Sequence, residues 1–239
     1  MGFVRFFILC LTVFSIFIPQ GFIYAASLLS DPFIPDGEKI TYALRRGDEN
    51  STVVEEVRAK KDGEKFIYEI TSASKFLDRT IRLLKPTLAI ASVHTIRKFP
   101  SVTLDSTLTV IDERKDSEGE EMKLADFSVI THVLRGFPFT KLEKLKISYF
   151  GEQRKSAYSM SVKCKGREKM TVKNGTFDCY KLELGMDGFF GTFLPKMNAW
   201  YSVEAPHYLV YYEGPDGPPG TPKRIMEMVQ YTKPSPRTE

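Results

Sequence analysis

Residues 168–184, EKMTVKNGTFDCYKLEL, carry the pattern that decides the fold. Two apolar-polar alternating runs, EKMTV and FDCYKLEL, flank Asn174-Gly175, a dipeptide that favours the positive backbone angles of a tight hairpin. Alternation at period two places one set of side chains in a core and the other in solvent, as on a half-buried antiparallel sheet. The chain repeats this pattern on both sides of the hairpin.

Upstream, EKITYALRRG (38–47) sets Ile40, Tyr42 and Leu44 against Lys39, Thr41 and Arg45. VVEEVRAKKDGEKFIYEI (53–70) holds two runs around Asp62-Gly63, a second hairpin signal. DSTLTVIDER (105–114) and AYSMSVKCKG (157–166) alternate in the same way, and NAWYSV (198–203), YLVYYEG (208–214) and RIMEMVQY (224–231) follow. The expected fold is therefore mainly β, with eight to eleven strands in antiparallel order.

One segment breaks the period. Leu124, Phe127, Ile130, Thr131 and Leu134 recur at three- and four-residue spacing, which predicts a helix over 124–135. Asp126 or Ser128 is placed to cap its start, and Gly136 with Pro138 ends it. This helix would cover the sheet or plug the barrel. Residues 74–97 are readable as either a short helix or a strand, and KLEKLK (141–146) reads as a solvated, charged face.

The first 27 residues have the layout of a secretory leader. Arg5 precedes the apolar run Phe6–Ile18, the breaker Pro19-Gln20-Gly21 and the small residues Ala25, Ala26 and Ser27. Cleavage after Ala25 or Ser27 would leave a single exported domain over 28–233 with a frayed tail from 234 to 239. The rival reading is an uncleaved inner-membrane anchor, because Phe6–Ala26 nearly reaches the ~20 residues of a membrane span.

Loss of the leader removes Arg5 alone among the charged groups, leaving a net charge of +3. Basic and acidic residues are interspersed, which argues against a nucleic-acid partner. His94, His132 and His207 lie far apart without metal-ligand spacing, and no nucleophile-elbow or phosphate-loop motif occurs. The expectation is a non-enzymatic protein without cofactor or metal.

Cys164 and Cys179 would enter a compartment that permits disulfides. With Asn174-Gly175 as the turn, Met170 faces Cys179, and Cys164 lies about 20 Å along the strand or about 10 Å across it, beyond the ~7 Å Cα separation of a disulfide. A bulge near Gly166 would bring the two together; two free thiols are the alternative.

Four stretches resemble, in order and spacing, the bacterial exported family called domain of unknown function 3108. They are GEKITYALRRG (37–47), LADFSVITHVLRGFPF (124–139), VKCKGREKMTVKNGTFDCYKLEL (162–184) and NAWYSVEAPHYLVYYEG (198–214). The match runs from about Pro32 to Tyr231. The family is similar to LolA/LolB-type periplasmic proteins, which implies a location in the periplasm and a curved antiparallel sheet forming an incomplete barrel, lidded by helices, around an apolar cavity for acyl chains. No ligand-binding residue transfers from the resemblance.

The chain has 11 Tyr, 18 Phe and one Trp, and the segment GMDGFFGTFLPK (185–196) places large apolar groups among helix and strand breakers. Phe189, Phe190, Phe193 and Leu194 are therefore candidates for a lid or cavity mouth, with Trp200, Phe127 and Leu134 beside them. The expected ligand is a lipid, a lipoprotein or another apolar molecule, with at most transient membrane contact. The alternative is an envelope protein partner docked on a sheet edge or aromatic loop, with no small ligand.

Overall fold

The computed structural model describes residues 28–99, 101–110, 117–118, 121–150, 157–188, 191, 193–215 and 221–234. The expected leader, Phe189, Phe190 and the tail from 235 lie outside the described residues. Fourteen strands form one sheet: β1 Lys39–Arg46, β2 Glu49–Asp62, β3 Lys65–Ala73, β4 Leu77–Leu84, β5 Ile90–Lys98, β6 Thr103–Thr109 and β7 Ser117–Glu118, then β8 Glu121–Leu124, β9 Lys144–Phe150, β10 Ala157–Val172, β11 Gly175–Met186, β12 Met197–Ser202, β13 Leu209–Pro215 and β14 Lys223–Thr232.

Their order is β6-β5-β4-β3-β2-β1-β14-β13-β12-β11-β10-β9-β8-β7. The first and last strands pair at the centre, so two meanders of consecutive hairpins join along β1 and β14. The two ends of the sheet, β6 and β7, do not pair, and the barrel is open. Residues 74–97 resolve as β4 and β5, and the charged stretch around 144–146 opens β9, where Leu145 and Ile147 are buried. These assignments raise the strand number above the expected eleven. The hairpin turns also sit one residue off the expected places. Val172 pairs with Gly175, so the two-residue turn is Lys173-Asn174 and Met170 faces Phe177; Asp62 pairs with Lys65, leaving Gly63-Glu64 as the turn.

Among the described strand pairs only β8 and β9 run parallel. A parallel pair needs a crossover of a dozen or more residues, and here that crossover dives through the barrel. It begins with a 3-10 turn, Phe127–Val129, continues as α1, Ile130–Val133, and ends in a second 3-10 turn, Leu134–Gly136. The helical run is thus shifted from the expected 124–135, because Leu124 remains in β8. Asp126 caps it, accepting from Ser128 N at 2.8 Å.

Val129, Ile130, Val133 and Leu134 are all buried against the interior stripes of the strands, among them Tyr180, Leu182 and Leu184 of β11. Each such side chain contributes about 1.5–3 kcal/mol by leaving water. At the far end of the plug the fit leaves no room for a side chain: a Cβ on Gly136 would stand 2.5 Å from both Leu88 Cδ1 and the Ser30 carbonyl oxygen. The plug therefore enters at one mouth of the barrel, where Asp126 lies, and seats against Leu29, Ser30 and Leu88 at the other.

Candidate functional site: the plugged barrel and its open mouth

Inside the barrel the plug is held by charge as well as by packing. Arg135 donates to both oxygens of Glu38, at 2.6 and 3.0 Å, and its Nε donates to the Pro206 carbonyl at 3.2 Å. Tyr231 of β14 donates to Glu38 Oε2 at 3.2 Å, and burial, followed by the charge of Glu38, holds its phenol well above the usual tyrosine range. One carboxylate thus ties the start of β1 to the plug and to the end of β14.

A second group lies one helical turn away. Ser72 donates to Glu55 Oε1 at 3.1 Å, and His132 Nε2 stands 3.6 Å from the same oxygen. Burial pushes the His132 imidazole below its ordinary pKa, Glu55 opposes this, and Arg135 adds to it. Tyr201 donates to the Thr131 carbonyl at 2.9 Å, and Tyr42 to the Leu209 carbonyl at 3.2 Å. Between these groups lies a cavity of about 10 Å³, lined by Tyr42, Glu55, Thr131, His132, Arg135 and Leu209. That is room for about one water molecule, not for an acyl chain.

At the entry mouth the interior stripe runs on past the plug. Leu145, Ile147 and Tyr149 alternate along one face of β9, and Val162, Met160 and Tyr158 along the facing side of β10. Tyr149 stacks on Tyr158 at 5.4 Å, Phe127 lies 4.7 Å from Tyr149, and the Tyr149 hydroxyl reaches Met186 Sδ at 3.8 Å. Tyr158 is 43% exposed, and Phe193, in the loop that follows β11, is 76% exposed. At the ends of β12, β13 and β14 an open groove of about 280 Å³ is bordered by Pro195, Lys196, Pro215 and Thr221 and by the ion-paired Glu213 and Lys223. It approaches the ~300 Å³ lower bound of typical ligand pockets.

The expected site residues divide between these environments. Phe127 and Phe193 stand at the mouth, with Leu194 half-buried next to Phe193. Leu134 is fully buried in the plug. Trp200 lies on the opposite face of the sheet from the interior Tyr201: its partner is Lys181, its ring packs on Tyr211 at 5.4 Å, and its Nε1 donates to Glu168 at 2.5 Å. Alternation along β12 carries it outside the barrel. Tyr149, Tyr158 and Met186 were missed; their signal was the continuation of the β9 and β10 alternation beyond the last fully buried positions.

Cys164 and Cys179 are both free thiols. A bulge does fall between Cys164 and Arg167, but Cys164 pairs with Leu182 while Cys179 pairs with Glu168, four positions along β10. Cys164 Sγ lies 3.7 Å from the Phe139 carbonyl in the interior, whereas alternation puts Cys179 on the outer face, so the disulfide does not form. Among the described residues no group of three or more His, Cys, Asp and Glu side chains is arranged to hold a metal, and no helix is long and apolar enough to cross a membrane.

No protein-family model matches the chain, and no curated protein matches it. No family model therefore supports the resemblance to domain of unknown function 3108. Solved structures align with most of the chain at low identity. A β-barrel-like protein of domain of unknown function DUF1849 from Brucella abortus is 9% identical, covering 86% of this chain and 98% of its own, with a TM-score of 0.49. A protein from Bacteroides fragilis described as exported, with a YmcC-like fold, is 11% identical over 86% of this chain and 100% of its own, at 0.36. The hypothetical lipoprotein YmcC from Escherichia coli is 10% identical over 85% and 87%, at 0.34. At these scores none of them carries an argument about ligand or activity.

Proposed function

We propose that this is an exported, non-enzymatic protein of the bacterial envelope that binds the apolar chain of a lipid or lipoprotein at the entry mouth of its plugged barrel. Export rests on the leader-like first 27 residues. The observation that carries the binding reading is the aromatic arc of Phe127, Tyr149 and Tyr158 with Met186, which continues the core stripe into solvent next to the exposed Phe193. An apolar surface continuous with a core and bordered by polar strands is the form of a ligand or partner site. The ligand lies along the mouth, since the interior is occupied by the plug. The buried ionisable groups favour binding over catalysis, because Glu38 and Glu55 are engaged by Arg135 and Ser72.

Organic-solvent extraction of the protein purified from its native envelope, followed by mass spectrometry, tests this reading. A lipid species recovered from the wild type and lost from Tyr158→Ser supports it. A blank extract with no gain in the fluorescence of a hydrophobic dye overturns it.

A second reading has its own observation. β6, Thr103–Thr109, is an edge strand along which nearly every residue is exposed, and Phe99, Val102 and Leu104 expose about half of their surface beside it. Such an edge accepts a partner strand by β-augmentation. Under this reading Leu104→Lys removes a pull-down partner from envelope extracts while the lipid extract is unchanged.

A further inference from the structure

Among the described residues β6 has a neighbouring strand on one side only, and the segment that forms this edge reads almost the same in both directions. Residues 102–110 are VTLDSTLTV, a palindrome about Ser106 broken only at Asp105 and Thr107. Two copies of such a strand, set antiparallel about a two-fold axis through Ser106, bring like onto like. Val102 then meets Val110 of the second copy, Thr103 meets Thr109, and Leu104 meets Leu108.

The backbone has the phase that this pairing requires. Phe99 N donates to the Val102 carbonyl at 2.9 Å and Val110 N to the Ala91 carbonyl at 3.0 Å, and the register between these bonds runs without a shift. The even-numbered residues of β6 therefore exchange their hydrogen bonds with β5, while Thr103, Asp105, Thr107 and Thr109 point their N–H and C=O groups away from the sheet. An axis through Ser106 pairs these outward residues with one another, Thr103 with Thr109 and Asp105 with Thr107. A slip of one residue sets outward groups against groups already bonded to β5.

The side chains match as well. Leu108 stands opposite the buried Val93 and, like Val110, packs on the core, whereas Val102 and Leu104 on the same face are 50% and 49% exposed. In the pair each copy's Val102 and Leu104 lie against the anchored Val110 and Leu108 of the other, at the close ~4.5 Å Cα spacing of a non-hydrogen-bonded pair. On the outer face Asp105, which His94 Nε2 approaches at 2.8 Å, meets the hydroxyl of Thr107, so no like charges stand directly opposite. The edge also lacks the devices that keep strands apart: 102–110 holds no Pro, Lys or Gly, and no bulge interrupts its pairing with β5.

We propose that β6 pairs with β6 of a second copy of this chain, joining two open barrels edge to edge in a two-fold dimer. The assignment rests on the reading of β6 as a strand-accepting edge and names its occupant. Any extended strand satisfies the backbone; the palindrome in the matching hydrogen-bond phase is what selects a second copy.

The Ser106→Cys variant tests the register, because only on this axis do the two copies of residue 106 meet, at about 4.5 Å between Cα atoms and within reach of a disulfide. Oxidation of the purified exported chain is expected to give a covalent dimer on non-reducing gels. Thr103→Cys, whose two copies lie about 20 Å apart along the pair, should give about a tenth as much or less. In sedimentation equilibrium the wild type should approach twice the mass of the chain and dissociate on dilution. Thr107→Asp, which sets acid against Asp105 in both halves, should raise the dissociation constant, and Thr107→Lys should lower it, each by about threefold or more. Residue 107 directs its backbone away from β5, so both variants keep the ladder, and circular dichroism checks their fold. A wild type that is monomeric throughout, with Ser106→Cys no more cross-linked than Thr103→Cys, overturns the dimer. If Leu104→Lys nevertheless removes a partner from envelope extracts, the edge belongs to another protein's strand; if it removes none, the edge reading falls with the dimer.

Discussion

Arg135 and Glu38 form a bidentate ion pair, 2.6 and 3.0 Å, with the arginine 4% exposed and the carboxylate fully buried. The pair joins the plug to the seam where the chain's first and last strands meet, since Glu38 precedes β1 and also receives Tyr231 of β14. Removing one partner strands a buried charge, a loss of about 3–5 kcal/mol. Arg135→Met is therefore expected to lower unfolding free energy by that amount in urea titration. Arg135→Met combined with Glu38→Gln should recover a large part of it, because neither charge is then left alone. A double variant no more stable than the single one would show that the arginine acts through packing instead.

Cys179 is buried, and desolvation, with Asp178 and Glu168 adding to it, pushes its thiol up to about 12. At pH 8 roughly one part in ten thousand is thiolate, the form that reacts. Alkylation of the native protein is expected to modify Cys179 only at the rate of unfolding, whereas denaturant should make both Cys164 and Cys179 reactive without any reductant. Intact-mass measurement reads both outcomes. A need for reductant would contradict the two free thiols of the structure.

The sheet was legible in the sequence wherever strand alternation met a wholly apolar interior, as along Tyr180, Leu182 and Leu184 of β11. Elsewhere the interior is polar, and there the period failed. β4 and β5 turn Arg79 and Thr95 inward, so residues 74–97 lost the contrast that marks a strand. At the start of β9, Leu145 and Ile147 mark the inner face amid Lys141, Glu143, Lys144 and Lys146, and the stretch reads as solvated. Asp126 was readable as a cap because capping is local. Glu38 and Arg135 lie 97 residues apart, so no spacing in the chain announces the pair.

His132 ties the plug to acid sensitivity. Burial lowers its folded pKa, so between that value and the ordinary ~6.5 the unfolded chain binds more protons than the folded one. The stability of neutral His132 is fully present above about pH 6.5 and is lost as pH falls toward the folded pKa. His207 acts in the same direction, its pKa also lowered first by burial. His132→Gln should flatten the fall of unfolding free energy from pH 6.5 to 5, by up to about 1.4 kcal/mol per pH unit for one proton. Parallel pH profiles for variant and wild type would mean that Glu55 cancels the burial effect.

Gly166 lets the long β10–β11 hairpin fold back on the sheet. Its φ is +93°, at the bulge between Cys164 and Arg167, and nothing lies within 4 Å of where a Cβ would be. Past this point the arm reaches over the outer face, where Glu168 accepts from Trp200 and Lys173 N donates to Glu227 Oε1 at 2.7 Å. A side chain at such a φ costs about 1–2 kcal/mol of backbone strain, and no contact is gained to offset it. Gly166→Ala is expected to loosen the arm ahead of the barrel. Trp200 is the only tryptophan, so its emission reports this contact alone. The variant should show a red shift and stronger acrylamide quenching at temperatures where far-ultraviolet circular dichroism remains that of the folded protein. Unchanged emission with a lower melting temperature would show that the arm stays docked and that the strain is spread through the sheet.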